Sequence, residues 1–189
     1  LVGTVSPVAI NVNATQDYTI GSTTGGSLGG TSAINKSGSG KLTLTTVNSQ
    51  VGKTTITGGT VSIDAGNKLG TAPASFVADQ LTLNGGALQV TASGSINANR
   101  GTTLGVSGGT FNVDPGVNFT NTPVTTGPGS LTKIGAGTLR LQTANTYVGN
   151  TIISNGIVSV GNAAAFGSGT VVLAGGTVDF PAATTLANS

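Results

Sequence analysis

The sequence predicts an all-β protein that folds as a right-handed parallel β-solenoid (β-helix) of about eight coils. Three observations lead to this fold class: a short glycine-led motif recurs, apolar and polar residues alternate after it, and Val, Ile and Thr are abundant. Gly, Thr, Ser and Asn make up just over half of the 189 residues, a composition often associated with disorder. The hydrophobic residues (37%) alternate with polar ones, and this alternation indicates ordered strands.

The short motif consists of two glycines, then Thr or Ala, then an apolar–polar–apolar triplet. Its copies recur at similar intervals, except that the third and fourth are separated by close to two such intervals. Glycine suits the tight corners between strands because it adopts positive φ and lets another backbone approach closely. The five copies, the fourth of which has Asn in place of the first glycine, are Gly58–Ile63, Gly85–Val90, Gly108–Val113, Asn155–Val160 and Gly175–Phe180.

A longer repeat is superimposed on the short one. Lys36–Gly70 aligns with Lys133–Gly167 without a gap, and 15 of the 35 positions are identical. The internal repeats therefore extend over 34–70 and 131–167. Proteins built from such repeats stack each unit on its neighbours.

A period of about 23 residues, with two or three short strands, corresponds to one coil of a solenoid. We predict a single solenoid domain over 1–189, with a corner loop near 114–129, where Pro115, Pro123 and Pro128 lie. Eight coils stacked at ~4.8 Å would form a rod of roughly 40 Å. Because alternate side chains face opposite sides of a strand, the predicted inward residues are Leu42, Leu44, Ile56, Val61, Ile63, Leu81, Leu83, Leu88 and Val90.

Composition excludes several kinds of site. Seven Lys and Arg against five Asp give a net charge of +2 without a basic cluster, so we expect no nucleic-acid surface. The absence of Cys and His rules out disulfides, thiolate nucleophiles, His-containing catalytic triads and His metal sites. No apolar run approaches the ~20 residues of a membrane-spanning helix. Because the chain starts at Leu1 without a signal peptide, we expect a processed chain or a window of a longer one.

Only Asp side chains remain for acid–base chemistry: Asp17, Asp64, Asp79, Asp114 and Asp179. Asp64 and Asp114 follow equivalent copies of the short motif two coils apart, which would separate them by ~9.6 Å, near the upper limit for an inverting glycosidase pair. We interpret both as polar corner residues, because the chain has no Trp and only two Tyr to form a sugar platform. We therefore predict no enzyme activity and no catalytic, cofactor-binding or metal-binding residue.

Other polar and aromatic residues are assigned structural roles. Asn48 and Asn145 occupy equivalent positions of the long repeat, where we expect their amides to satisfy buried backbone groups. Lys36 and Lys133 flank glycines, and we interpret them as solvated corner residues. The aromatic residues expected to pack at corners or ends are Tyr18, Phe76, Tyr147 and Phe166.

The segments Leu131–Leu141, Ala144–Ile153 and Gly156–Gly161 together resemble the autotransporter passenger-associated β-strand repeat of bacterial secreted and cell-surface proteins. The copy at 34–63 is a weaker match, with Gln50 where the second copy has Tyr147. The resemblance implies a right-handed parallel β-helix exported to the cell exterior, and it implies no catalytic residue. Because the sequence lacks the family's C-terminal membrane barrel, we expect either part of a passenger or a protein that uses the repeat without that anchor.

Two functional hypotheses follow. The first is an extracellular fibre subunit that assembles head to tail, because Val8–Val12 and Val178–Phe180 are strand-like and neither end carries a charged cap. The second is an adhesin or passenger-stalk segment that presents a binding surface, whose targets would be the cell surface or polysaccharide. Both hypotheses place the chain outside the cell or on its surface. Neither involves a cofactor, nucleic acid or an integral membrane segment.

Overall fold

A computed structural model describes residues 1–181 and shows parallel strands wound into a β-solenoid of about eight turns. The predicted class, an all-β parallel solenoid, is therefore confirmed. The described chain contains one 3-10 turn, at Gly66–Leu69. In chain order the strands are β1 Thr4–Val5, β2 Ala9–Asn13, β3 Tyr18–Ile20, β4 Ser27–Leu28, β5 Ala33–Ser37, β6 Lys41–Leu44, β7 Thr54–Ile56, β8 Thr60–Ile63, β9 Val77–Leu83, β10 Ala87–Val90, β11 Gly94–Ile96, β12 Arg100–Leu104, β13 Gly109–Val113, β14 Asn118–Asn121, β15 Thr125–Thr126, β16 Leu131–Ile134, β17 Thr138–Leu141, β18 Thr151–Ile153, β19 Ile157–Val160, β20 Val171–Leu173 and β21 Thr177–Asp179.

Each coil has three faces, which we number in the order in which the chain visits them. Face 1 is the sheet β2-β5-β7-β9-β12-β15, face 2 is β3-β6-β8-β10-β13-β16-β18-β20, and face 3 is β11-β14-β17-β19-β21. Each interior strand of these sheets pairs in parallel with a strand of the coil before it and a strand of the coil after it, whereas the strands at the two ends of a sheet pair on one side only. A parallel neighbour on the same face is reached only after a full turn of the chain. The long-range hydrogen bonds therefore join coil to coil along the solenoid.

Face 3 is irregular in the first half of the chain. There the two-stranded sheet β1-β4 occupies the position that β11 takes later, between a strand of face 2 and a strand of face 1. In the next two coils this face consists of irregular segments that are still hydrogen-bonded from coil to coil. Ser49 N donates to Leu28 O over 2.7 Å, and Thr71 N donates to Gln50 O over 2.9 Å. Backbone groups thus remain paired between coils even where regular strand geometry is lost.

The core consists of inward side chains stacked in columns. On face 2 the register places Leu42, Val61, Leu88 and Phe111 in line, one from each successive coil. All four are buried, as are the other inward residues that the alternation predicts. Burying such aliphatic and aromatic side chains contributes roughly 1.5–3 kcal/mol each, so the columns are the main source of stability.

The segment 114–129, predicted as a corner loop, instead forms ordered sides of the solenoid. β14 lies on face 3, where Phe119 pairs with Leu139, and β15 lies on face 1, where Thr125 pairs with Thr102. Phe119 is buried, and its ring centroid lies 6.4 Å from that of Phe111. The prolines do not interrupt these strands, because Pro115, Pro123 and Pro128 all lie between strands.

The two long repeats occupy different faces. Leu42 of the first copy is on face 2, whereas its equivalent Leu139 is on face 3; likewise Thr54 is on face 1 and Thr151 on face 2. The offset between the repeats therefore equals four coils plus one face. The side of the coil that lacks a strand shifts by one face as well. It lies on face 3 in the first copy and on face 1 in the second, where Thr146 N donates to Thr125 O.

We expect Leu88→Ala to destabilise the solenoid by about 2–5 kcal/mol, because it leaves a cavity between Val61 and Phe111. Chemical denaturation followed by circular dichroism measures the effect. Thr110→Ala is the matched control: Thr110 lies beside Phe111 on β13 but is only partly buried, and its replacement should change stability by less than about 0.5 kcal/mol. Equal losses in the two variants would contradict the assigned inward column.

Candidate functional site

The most distinctive polar feature is a buried lysine at a glycine corner of each long repeat. Lys36 lies in β5 between Val12 and Ile56 of the neighbouring coils, so its side chain takes an inward position. Its ammonium donates hydrogen bonds to Ser37 O (2.6 Å), Gly38 O (2.8 Å) and Gly58 O of the next coil (3.3 Å). The lysine therefore links two coils from the inside.

Lys133 repeats this arrangement on face 2. Its ammonium donates to Ile134 O (2.7 Å), Gly135 O (2.7 Å) and Asn155 O of the next coil (3.2 Å). Lys36 and Lys133 are 1% and 0% exposed, so the prediction that they are solvated corner residues is wrong. The physical reason is that the three carbonyl oxygens replace water around the ammonium, which makes an inward position tolerable for a cation.

Glycine is required next to the ammonium of Lys36. Gly59 has a φ of +61°, and a Cβ atom at this position would lie 2.6 Å from Nζ of Lys36. Burial lowers the pKa of Lys36, while the Asp17 carboxylate acts in the opposite direction. Burial also lowers the pKa of Lys133 to about 8.

Arg100 is a third buried cation, and sequence reasoning did not identify it. Its guanidinium donates to Leu69 O (3.0 Å) and Gly70 O (2.8 Å) of the preceding coil. Burial lowers the pKa of Arg100 to about 10. The two ion pairs of residues 1–181 join Lys53 to Asp79 and Lys68 to Asp64, so Arg100, Lys36 and Lys133 form no direct ion pair with a carboxylate in that range.

The two equivalent asparagines connect three coils each. Asn48 Oδ1 accepts from Leu28 N (2.9 Å), and its Nδ2 donates to Lys68 O (2.7 Å). Asn145 makes the same pair of bonds with Thr125 N and Ala165 O. Each amide therefore satisfies one backbone group below and one above its own coil, on the side of the solenoid that lacks strands.

The two repeats differ at one buried position next to this asparagine. Tyr147 is buried, its hydroxyl hydrogen-bonds Thr151 Oγ1, and burial raises the pKa of Tyr147 to about 12. In the first copy Gln50 and Thr54 occupy the equivalent places, and their side-chain polar atoms have no hydrogen-bond partner among residues 1–181. The buried polar side chains at this position are thus better satisfied by hydrogen bonds in the second copy than in the first.

The remaining aromatic residues divide between surface and core. Phe166 is buried, Phe76 is exposed, and Tyr18 is exposed in the first coil, where no earlier strand covers it. No two of these residues, or Tyr147, form a ring contact in the described part of the chain.

The aspartates are dispersed, and the observed contacts of most are structural. Asp17 Oδ1 accepts from Lys41 N (2.7 Å), Asp79 pairs with Lys53 (2.6 Å), and Asp114 Oδ1 accepts from Gln89 Nε2 (2.9 Å). Asp179 lies in β21 opposite Ser159. No group of three or more Asp that could hold a metal ion occurs in the described range 1–181.

Asp64 and Asp114 follow strands that lie two coils apart on face 2, since Ile63 pairs with Val90 and Val90 with Val113. Thr91 follows the strand between them. Asp64 lines a small recess of about 130 Å³ that contains no second carboxylate, and it lies 3.6 Å from Lys68. Asp114 does not line this recess, so the two carboxylates are not paired there as glycoside hydrolysis requires.

Replacing the buried lysine should reveal its role. We expect Lys133→Met to lower stability by about 1–3 kcal/mol, because Met fills the space but leaves three carbonyl oxygens without a donor. Removal of a desolvated charge offsets part of that loss. Lys53→Met, which removes an exposed lysine paired with Asp79, should change stability by less than about 1 kcal/mol. A denaturation midpoint for Lys133→Met at or above that of Lys53→Met would contradict the assigned role.

The same lysine should make stability depend on pH. Its pKa is about 8 in the folded chain and ordinarily near 10.4, so the unfolded state binds more protons between these values. The free energy of unfolding should therefore rise with pH from about 8 to 10.4, by at most about 1.4 kcal/mol per unit. Denaturation at pH 7.5, 9 and 10.5 measures this, with Lys133→Met as the reference. A difference between the two proteins that stays constant with pH would show that the pKa does not change on folding.

Comparison with known proteins identifies the repeats. A family model described as the passenger-associated-transport-repeat matches residues 34–63 and 131–160, the segments that carry the two buried lysines and the two bridging asparagines. The adhesin BmaC autotransporter of Brucella suis biovar 1 (strain 1330) is 37% identical over 125 residues, which cover 63% of this chain and 4% of that protein. No solved structure matches the chain.

The chain thus spans a small part of the length of that relative. Within residues 1–181 no helix is long and apolar enough to cross a bilayer. The sequence resemblance, the family model and the stacked parallel strands agree with one another. Residues 34–63 and 131–160 are therefore two copies of the passenger-associated-transport-repeat, set in a parallel β-solenoid.

Proposed function

We propose that the chain is a segment of an autotransporter passenger, a non-enzymatic stalk that projects from the bacterial surface and carries a binding surface on its sides. The similarity to an adhesin autotransporter supports this function. In this proposal the chain lies outside the cell, and the stacked coils serve as a rigid spacer. The dispersed aspartates favour a structural and adhesive role over catalysis.

The observation that carries the proposal is the similarity to a much longer adhesin autotransporter, of which the matched region covers 4%. Exposed core columns in the first and last described coils are compatible with it. At one end, Tyr18 stands in line with the buried Leu42 but is 54% exposed. At the other, Leu173 stands in line with the buried Ile153 and is 59% exposed, and Phe180 is 44% exposed. Further coils of the same polypeptide would cover these side chains and pair the open strand edges.

A fibre subunit that stacks head to tail is the second candidate, and the same exposed columns favour it. A neighbouring copy would cover them as well as another coil would. We prefer the stalk because the adhesin relative is far longer than this chain, and its single polypeptide has room for many coils. The two candidates differ in whether the continuing coils belong to the same chain.

Imaging and labelling of the native protein test the proposal. Antibodies against this segment should label unpermeabilised cells, and the purified native polypeptide should appear in negative stain as a single elongated rod. In-frame deletion of the segment should shorten that rod by roughly 40 Å, about eight coils at ~4.8 Å, while surface labelling of a tag elsewhere in the chain persists.

Two results would overturn the stalk. One such result is a filament that is longer than a single polypeptide and dissociates into identical subunits. That result would favour the fibre. Labelling that requires permeabilised cells would exclude surface projection.

A further inference from the structure

A groove of about 520 Å³ lies on the irregular part of face 3. It forms where the coil from Val61 to Leu88 is longer than the coil before it, which runs from Leu42 to Val61. The longer coil places the 3-10 turn Gly66–Leu69 where a strand would otherwise lie next to β11. The edge of β11 therefore borders the groove, whose volume is within the usual range of small-ligand sites.

Arg100 lines this groove although its side chain is almost completely buried. Its guanidinium has five N–H donors, and among residues 1–181 it makes two hydrogen bonds, both to backbone carbonyls. No Asp lines the groove. A buried guanidinium without a carboxylate partner is costly in free energy, and an anion in the groove would offset that cost.

The rest of the lining offers neutral hydrogen-bonding groups. The Asn67 amide, the Ser95 hydroxyl and Nδ2 of Asn97 are exposed and make no hydrogen bond within the described chain. Asn97 is held in place, because its Oδ1 accepts from Asn99 N over 2.9 Å. Amide and hydroxyl groups of this kind suit the many hydroxyls of a sugar, whereas the groove lacks the aromatic or extended aliphatic walls that an apolar peptide side chain needs.

We propose that this groove binds an acidic sugar residue of a glycan, with the sugar carboxylate directed towards Arg100 and the sugar hydroxyls bonded by Asn67, Ser95 and Asn97. The inference rests on the proposed adhesive function and names its ligand class. A carboxylate is the favoured anion because the planar guanidinium fork matches it, and a sugar supplies the hydroxyls that the surrounding amides would bind. Sialic acid at a glycan end and uronic acid within a polysaccharide share this chemistry.

The test uses the purified chain and three soluble probes: sialyllactose, a hyaluronan tetrasaccharide and neutral lactose. Calorimetry or ligand-observed NMR should detect binding of at least one acidic probe, at least tenfold tighter than lactose and weaker at 500 mM than at 50 mM salt. Which acidic probe binds distinguishes the terminal sugar from the uronic acid. Binding by the purified chain does not depend on where the protein is displayed, so its failure would leave the stalk proposal intact.

Two variants place a negative charge in the groove without disturbing the core: Asn97→Asp and Ser95→Asp. Each should weaken acidic-probe binding at least tenfold. Asn162→Asp is the matched control, because Asn162 Oδ1 accepts from Ala164 N over 2.9 Å just as Asn97 Oδ1 accepts from Asn99 N. Asn162 lies outside the groove lining, so this variant should bind like the parent.

Three outcomes would overturn the proposal. The first is equal affinity for lactose and the acidic probes, or no binding of either acidic probe. The second is unchanged binding in both Asn97→Asp and Ser95→Asp. The third is binding of an aspartate-rich peptide by the parent chain, abolished in Asn97→Asp, together with no sugar binding, which would assign the groove to a protein partner.

Discussion

The stacking of each coil on the next, at the spacing of parallel strands, constrains every other feature of this molecule. An inward position must match the positions above and below it, so apolar side chains run in columns such as Leu42–Val61–Leu88–Phe111. A polar side chain can occupy a position in a column only if backbone groups satisfy its hydrogen-bonding capacity. Lys36 and Lys133 meet that requirement through three carbonyl oxygens each, and their links to the next coil make the exception part of the stacking itself.

Much of the fold could be predicted because local chemistry determines it. The glycine-led motif marks the corners, and period-two alternation identifies the buried members of each strand. The same alternation contained the signal for the buried lysines: Lys36 is two residues from the buried Ile34, and Lys133 is two from the buried Leu131. A lysine beside glycine is ordinarily a surface residue, and the carbonyl of the next coil that helps to hold each ammonium follows from the stacking of coils and not from the local sequence.

Other features could not be predicted, because they depend on how coils of unequal length superimpose. The segment 114–129 is rich in proline, yet Phe119 and Thr125 find strand partners one coil away. The groove at Arg100 arises because the coil that begins at Val61 is longer than the one before it. Neither the register nor the position of the Leu69 and Gly70 carbonyls that hold Arg100 follows from local pattern alone.

The rotation of the second repeat by one face has a geometric consequence for an array of such units. Copies spaced by four coils and one further face point their corresponding surfaces in directions that differ by a third of a revolution. Three copies at that spacing would point to the three faces in turn before the pattern returns to its starting direction. A long rod built in this way would carry the same lysine-clamped corner on each of its three sides in turn.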